Sequence, residues 1–95
     1  MSTPLFSLGF IQVTDHAITA LIRLNVNITE LLKRHQYGDW GDIEEADKEH
    51  NRNMVNRMGL PENIISFYNL KETRFYIATW PDRSMTDVYL DKDLY

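Results

Sequence analysis

Apolar residues recur with a helical period through the first half of the chain and with a strand period through the second, and that change predicts the order of the elements. From Leu5 to Val13 the pattern alternates loosely, with Phe6, Leu8 and Phe10 on one side and Ile11 and Val13 closing it. This predicts a first strand with Gly9 as a bulge. Thr14 or Asp15 then suits a helix N-cap, Ala17, Ile18, Leu21 and Ile22 keep helical spacing, and Asn25 marks a stop. Asn27-Ile28-Thr29-Glu30 has the form of a capping box, Ile28, Leu31 and Leu32 supply the buried stripe of a second helix, and Gly38 ends it. A third helix is expected to begin with Asp42 as N-cap and Glu45 at N3. Its apolar face would carry Ile43, Ala46, His50, Met54, Val55 and Met58, with Asn51 beside them, and Gly59 and Pro61 would end it.

The remainder reads as strand. Asn63 to Asn69, Arg74 to Trp80 and Thr86 to Leu90 are rich in aromatic and β-branched residues, and the short connections between them predict antiparallel hairpins. One face is expected to hold Ile65, Phe67, Phe75, Ile77, Val88 and Leu90, and the opposite face Tyr68, Tyr76, Trp80 and Tyr89. The expected fold class is α+β, a two-layer β-α-α-α-β-β-β arrangement with about three helices packed on a three- to four-stranded antiparallel sheet. Residues 1–95 form a single domain, since one core typically organises about 100–150 residues.

Composition narrows the function. With 43% hydrophobic and 12% aromatic residues the chain can bury a core. A domain of this size is nevertheless marginal by surface-to-volume scaling, so a partner or a homodimer would add to its stability. The absence of cysteine excludes disulfides and thiolate metal sites and points to a reducing compartment. No apolar run approaches the ~20 residues that cross a bilayer. The opening Met1-Ser2-Thr3-Pro4-Leu5-Phe6 has no basic n-region, so no signal peptide and a cytoplasmic location are expected. A net charge of −4 with scattered cations argues against direct nucleic-acid binding. Acids concentrate in Asp39, Asp42, Glu44, Glu45, Asp47 and Glu49, opposed there by Lys48. Such a run is either a solvated helix face or an acidic patch that docks on a basic surface.

The densest cluster of chemically special residues is His35-Gln36-Tyr37-Gly38-Asp39-Trp40-Gly41-Asp42. Gly38, Trp40, Gly41 and Asp42 read as structural: two turns, a packed aromatic anchor and a cap. If this run meets the Asp82-Arg83-Ser84 loop, then His35, Asp39, Asn51, Asp82, Arg83 and Ser84 form a polar cluster around Trp40. Such a cluster is either a satisfied network that fixes the fold or a site. As a site, His35 would be the base, Asp39 its orienting carboxylate and Arg83 an anion binder. No nucleophile elbow and no phosphate-cradling glycine loop accompanies them, and one histidine among scattered carboxylates does not make a metal site. No metal and no cofactor is expected. Tyr68, Tyr76, Trp80 and Tyr89, with the acids Glu44 and Glu49, are the candidate partner-binding residues, because Tyr and Trp are enriched at interface hot spots.

The pattern His35-x-x-Gly38-Asp39-Trp40-Gly41-Asp42, followed by Asp47 and Asn51, a Ser66-x-Tyr68 strand and Asp82-Arg83-Ser84-x-Thr86, resembles a family of short uncharacterised proteins carried by phages, plasmids and integrative elements. The likeness runs from about Ile28 to Leu90. Trp80-Pro81 stands where relatives usually have an acidic residue and an alanine, and the Asp91-Lys92-Asp93-Leu94-Tyr95 ending is only loosely similar. The resemblance implies an accessory protein of a mobile element in a bacterial host. The expected role is protein–protein binding, with inhibition of a host defence complex of the anti-CRISPR or anti-restriction kind as the specific reading. The alternative is a small hydrolase, or a binder of a nucleotide-like ligand, built on His35, Asp39 and Arg83.

Overall fold

The computed structural model describes residues 3–56 and 62–94. The expected ends of the third helix at Met58, Gly59 and Pro61 lie outside the described residues, as does Tyr95. The element order is β1 (Phe10–Val13), α1 (Asp15–Leu24), α2 (Ile28–Gln36), α3 (Glu45–Asn56), β2 (Ile64–Leu70), β3 (Thr73–Thr79), β4 (Met85–Leu90) and a short 3-10 turn, Asp91–Leu94. The class is α+β, with one four-stranded sheet in the order β1-β4-β3-β2. Among the described residues no helix is long and apolar enough to cross a membrane.

The N-caps expected at Thr14 and Asn27 both form, but the capping box does not: Asn27 takes the N–H of Thr29 rather than that of Glu30, and among the described residues the Glu30 side chain makes no return bond. Thr14 Oγ1 accepts from the Ala17 N–H at 3.1 Å, and Asn27 Oδ1 from the Thr29 N–H at 2.9 Å. Caps of this kind each contribute about 1 kcal/mol. Asn25 closes α1 in the left-handed region, with φ 55° and ψ 47°. Gly38 closes α2 with φ +91°, where the Asp39 N–H reaches back to the Arg34 carbonyl at 2.8 Å.

Four further expectations are corrected. The sheet is mixed, because β1 runs parallel to β4, with Phe10 opposite Met85 and Val13 opposite Val88. The first strand is four residues long and does not begin at Leu5. Gly9 at φ +64° sits where a Cβ would overlap the Arg83 and Ser84 backbone, and the preceding segment turns away to α2, where the Leu5 N–H donates to the Gln36 carbonyl at 2.9 Å. Asp42 does not cap α3. The helix begins at Glu45 on the Glu44 carbonyl, which accepts from the Asp47 and Lys48 N–H groups. Finally, β2 has the opposite phase from the one expected. Tyr68 pairs with Phe75 and Ser66 with Ile77, so Ile64, Ser66 and Tyr68 face the core while Ile65 and Phe67 face away.

The core is divided. The larger cluster packs Ala17, Ala20 and Leu21 of α1 and Leu31 of α2 on Tyr68, Phe75, Ile77, Val88 and Leu90. The smaller one joins Phe6, Trp40, Ile43, Met54 and Ile64. α3 lies along the free edge of β2, where the Asn51 side chain takes the place of a neighbouring strand. Its Nδ2 donates to the Ile65 carbonyl at 2.8 Å, and its Oδ1 accepts from the Ile65 N–H at 3.2 Å. The helices therefore cover one face and one edge of the sheet.

Candidate functional site

The six residues expected to form one polar cluster are separated by the fold into distinct structural roles. His35 is fully buried between the two core clusters. Its Nδ1 lies 2.5 Å from Ser66 Oγ and its Nε2 2.9 Å from Thr79 Oγ1, which in turn lies 2.8 Å from Thr86 Oγ1. Thr86 donates to the Leu8 carbonyl at 2.7 Å. Since a carbonyl only accepts and each hydroxyl has one proton, Thr79 must donate to Thr86 and His35 Nε2–H to Thr79. Burial pushes the His35 pKa down to about 3, so the imidazole is neutral, and with its one proton on Nε2 its Nδ1 accepts from Ser66.

Asp39 does not orient His35. Its carboxylate is exposed and takes the Arg34 guanidinium at 2.7 and 3.3 Å, and this hydrogen bond holds the carboxyl below its ordinary range. Asp82 accepts from both the N–H and the hydroxyl of Ser84, at 2.9 and 2.6 Å, which shapes the β3–β4 turn. Arg83, at φ +62°, turns its guanidinium inward to the Trp80 and Pro81 carbonyls and to the Met54 carbonyl in the last turn of α3. Burial lowers its pKa. Phe6 stands between Arg83 and His35, its ring centre 5.8 Å from the guanidinium and 5.2 Å from the imidazole centre. His35, Asp39 and Arg83 form none of the walls of the three surface hollows, which lie between α3 and β2, beside Ala78 and Tyr89, and between α1 and the start of α2. Among the described residues no group of three or more His, Asp and Glu side chains is placed to hold a metal.

The glycine-tryptophan run seals the β2 edge next to Asn51. Gly41 forms a parallel bridge with Phe67, and at its φ of +77° a Cβ would overlap the Phe67 carbonyl oxygen. The Asp42 N–H donates to that carbonyl at 2.8 Å, and the Asp42 carboxylate accepts from the Asn69 N–H at 2.8 Å. Trp40 is buried in the smaller cluster, and the Tyr68 hydroxyl donates to the Asp39 carbonyl at 2.7 Å. Burial raises the Tyr68 pKa to about 12. Tyr68 is thus a core residue and not part of any contact surface.

What remains open is the other face of the sheet. Tyr76 and Tyr89 stack across β3 and β4 with ring centres 5.1 Å apart and planes 4° from parallel. Phe67 of β2 extends the row, 5.7 Å from Tyr76, with the Arg74 guanidinium 4.2 Å over its ring. Trp80, 41% exposed, donates its indole N–H to Asp87 at 3.0 Å on the same face. Two hollows flank this row. One, of about 660 Å³, lies between α3 and β2, with Ile43, Ile65, Phe67 and Tyr76 as its apolar walls and Asp47, His50 and Glu62 among its polar ones. His50 Nε2 is 2.9 Å from a Glu62 carboxylate oxygen. The other, of about 440 Å³, has Ala78 and Tyr89 in its walls with Asp87 and Asp93, and Asn63 belongs to both. Bonds from Thr14 and the Leu90 N–H hold the Asp93 carboxyl down at about 2.

Of the acids expected at the contact surface, Glu44 and Glu49 are exposed but line neither hollow. Glu49 is engaged by Arg52 at 2.7 Å. The structure adds Ile65 and Phe67 to the open face, and Asp47, His50 and Glu62 to the walls of the hollow beside it. Parity is the signal for the first two: once Tyr68 is placed opposite Phe75, Phe67 must join Tyr76. No family model, no curated protein and no solved structure matches the chain, so its function has to be read from this geometry.

Proposed function

We propose that this chain is a binding module that takes a protein partner on the open face of its sheet. The observation that carries the reading is the half-buried aromatic row Phe67–Tyr76–Tyr89 on the open face, set between two hollows whose ionisable walls are mainly carboxylate. Rigid aromatic rings supply contact area at low entropic cost, and Asp47, Glu62, Asp87 and Asp93 around them favour a partner that offers basic side chains beside apolar ones. Arginine suits both features, since it stacks on an aromatic face and bonds carboxylates in pairs. The likeness to mobile-element proteins directs the choice of target to a bacterial defence complex, inhibited by occlusion of its surface. No observation favours the hydrolase or nucleotide-like alternative, whose three named residues line none of these hollows.

The test is capture of defence-complex subunits by the wild type, Tyr76→Ala and Trp80→Ala, with thermal melting measured alongside. Loss of capture with melting little changed supports the reading. Capture that survives both truncations, or an absence of any partner together with stabilisation by a small ligand that needs His35, removes it.

A further inference from the structure

The two edges of the sheet are treated in opposite ways. β2 is closed by Asn51, Gly41 and Asp42, whereas among the described residues β1 pairs with β4 alone. The Phe10 and Thr14 N–H groups donate into β4, to Ser84 and Val88, so alternation turns the N–H and C=O groups of Ile11 and Val13 outward. Natural edges carry charges, proline or a cover that stop strands from adding. This one carries no charge, because residues 1–14 contain no Asp, Glu, Lys or Arg in a chain that is 25% charged. Its exposed side chains are apolar apart from Gln12. Phe10 is 72% exposed on the open face, and Ile11, Ile18 and Ile22 are exposed on the helix side. Ile18 and Ile22 share a hollow of about 600 Å³ with Val13.

We propose that β1 is a homodimer edge, pairing antiparallel with β1 of a second copy about a twofold axis through Gln12. A second copy fits this edge better than a foreign strand for two reasons. Two molecules of net charge −4 repel wherever their charged surfaces meet, and this strand is uncharged on both partners. The strand is also self-complementary: centring on Gln12 sets Ile11 opposite Val13 of the other copy, and Val13 opposite its Ile11. Both are hydrogen-bonded pairs, so all four outward groups of each strand are satisfied. The axis is normal to the sheet, so both α1 helices lie on one face of an eight-stranded sheet, with Ile18 and Ile22 of each copy flanking it. Both aromatic rows then lie on the opposite face. The dimer does not depend on the proposed function.

Gln12 is the one β1 residue that meets itself, and as a non-hydrogen-bonded pair its Cα atoms stand about 4.5 Å apart, within disulfide range. In this cysteine-free chain Gln12→Cys should cross-link to a covalent dimer under mild oxidation, while Phe10→Cys, opposite Thr14 of the other copy, should not. Sedimentation of the wild type over a wide concentration range should show a monomer–dimer equilibrium. Both Gln12→Asp and Gln12→Lys should weaken it by about tenfold or more, because either sign meets its own kind at the axis. Gln12 is exposed, and circular dichroism verifies that the variants fold. A wild type monomeric at every concentration overturns the proposal. So does a dimer that tolerates both charges, or Phe10→Cys cross-linking as fast as Gln12→Cys.

Discussion

The hydroxyl chain from Thr79 to Leu8 requires a proton on His35 Nε2, since each hydroxyl has one proton to give and the last acceptor is a carbonyl, and burial keeps Nδ1 unprotonated. Unfolded, the His35 imidazole takes a proton near pH 6.5; folded, burial defers that to about 3. Its contribution to stability is therefore complete above pH 6.5 and is lost as the pH falls from there toward 3, by up to about 1.4 kcal/mol per unit. Between pH 6.5 and 5, above the range where carboxylates protonate, denaturant unfolding of the wild type should lose about 2 kcal/mol. His35→Gln, which keeps an amide donor and acceptor but does not titrate, should remove most of that slope; an unchanged slope would place its origin elsewhere. The sequence marked His35 as special but offered a catalytic partner, Asp39, because that carboxylate is near in the chain. Ser66, Thr79 and Thr86 lie far away in sequence and were legible only as ordinary strand residues. Turn and cap chemistry fared better at Thr14, Asn25, Asn27 and Gly38, where the deciding contacts are local.

Elements were legible where one period dominated and were misread where both faces of a strand carry apolar residues. In Ile64–Leu70 either parity gives an apolar face, and the buried polar Ser66 favours the wrong one, which exchanges Tyr68 for Phe67 on the open face. The connection between β2 and β3 has its own cost, because Lys71 and Glu72 occupy a two-residue turn with φ of 49° and 64°, a conformation that favours Asn and Gly. Glu72→Gly should stabilise the fold by about 0.5–1 kcal/mol in thermal or denaturant unfolding. It leaves in place the bond from Lys71 Nζ to the Leu24 carbonyl at the end of α1. The edge closure on β2 makes the opposite prediction. Asn51→Ala leaves the Ile65 N–H and C=O without their partner, costing about 2–3 kcal/mol, and reopens a strand edge, so it should both melt earlier and aggregate more readily. Asn51→Asp should not rescue it, since a carboxylate cannot donate to the Ile65 carbonyl.

At the scale of the whole molecule, the α+β class followed from composition and element order. The parallel placement of β1 beside β4 did not, because it depends on where three helices and the β2–β3 hairpin carry the chain between two distant strands. The same long-range placement decides which acids matter. The run from Asp39 to Glu49 looked like one acidic patch, yet the fold directs only Asp47 from it to the α3 groove and supplies Glu62 from after the helix, with Asp87 and Asp93 from the far end of the chain. On the proposed surface these carboxylates and the aromatic row should be separable by kinetics. Rim charges act while the partner is still approaching, through a field that salt screens within about 8 Å at physiological ionic strength, whereas desolvated rings act after contact is made. With a captured partner in hand, Asp47→Asn combined with Glu62→Gln should slow association and flatten its dependence on ionic strength, with dissociation nearly unchanged. Tyr76→Ala should do the reverse, speeding dissociation by about tenfold or more with association close to wild type. Surface-plasmon measurements across a salt series read both effects directly. If the acid pair alters only dissociation, those carboxylates are buried contacts; if Tyr76→Ala alters neither rate, the partner does not sit on the open face.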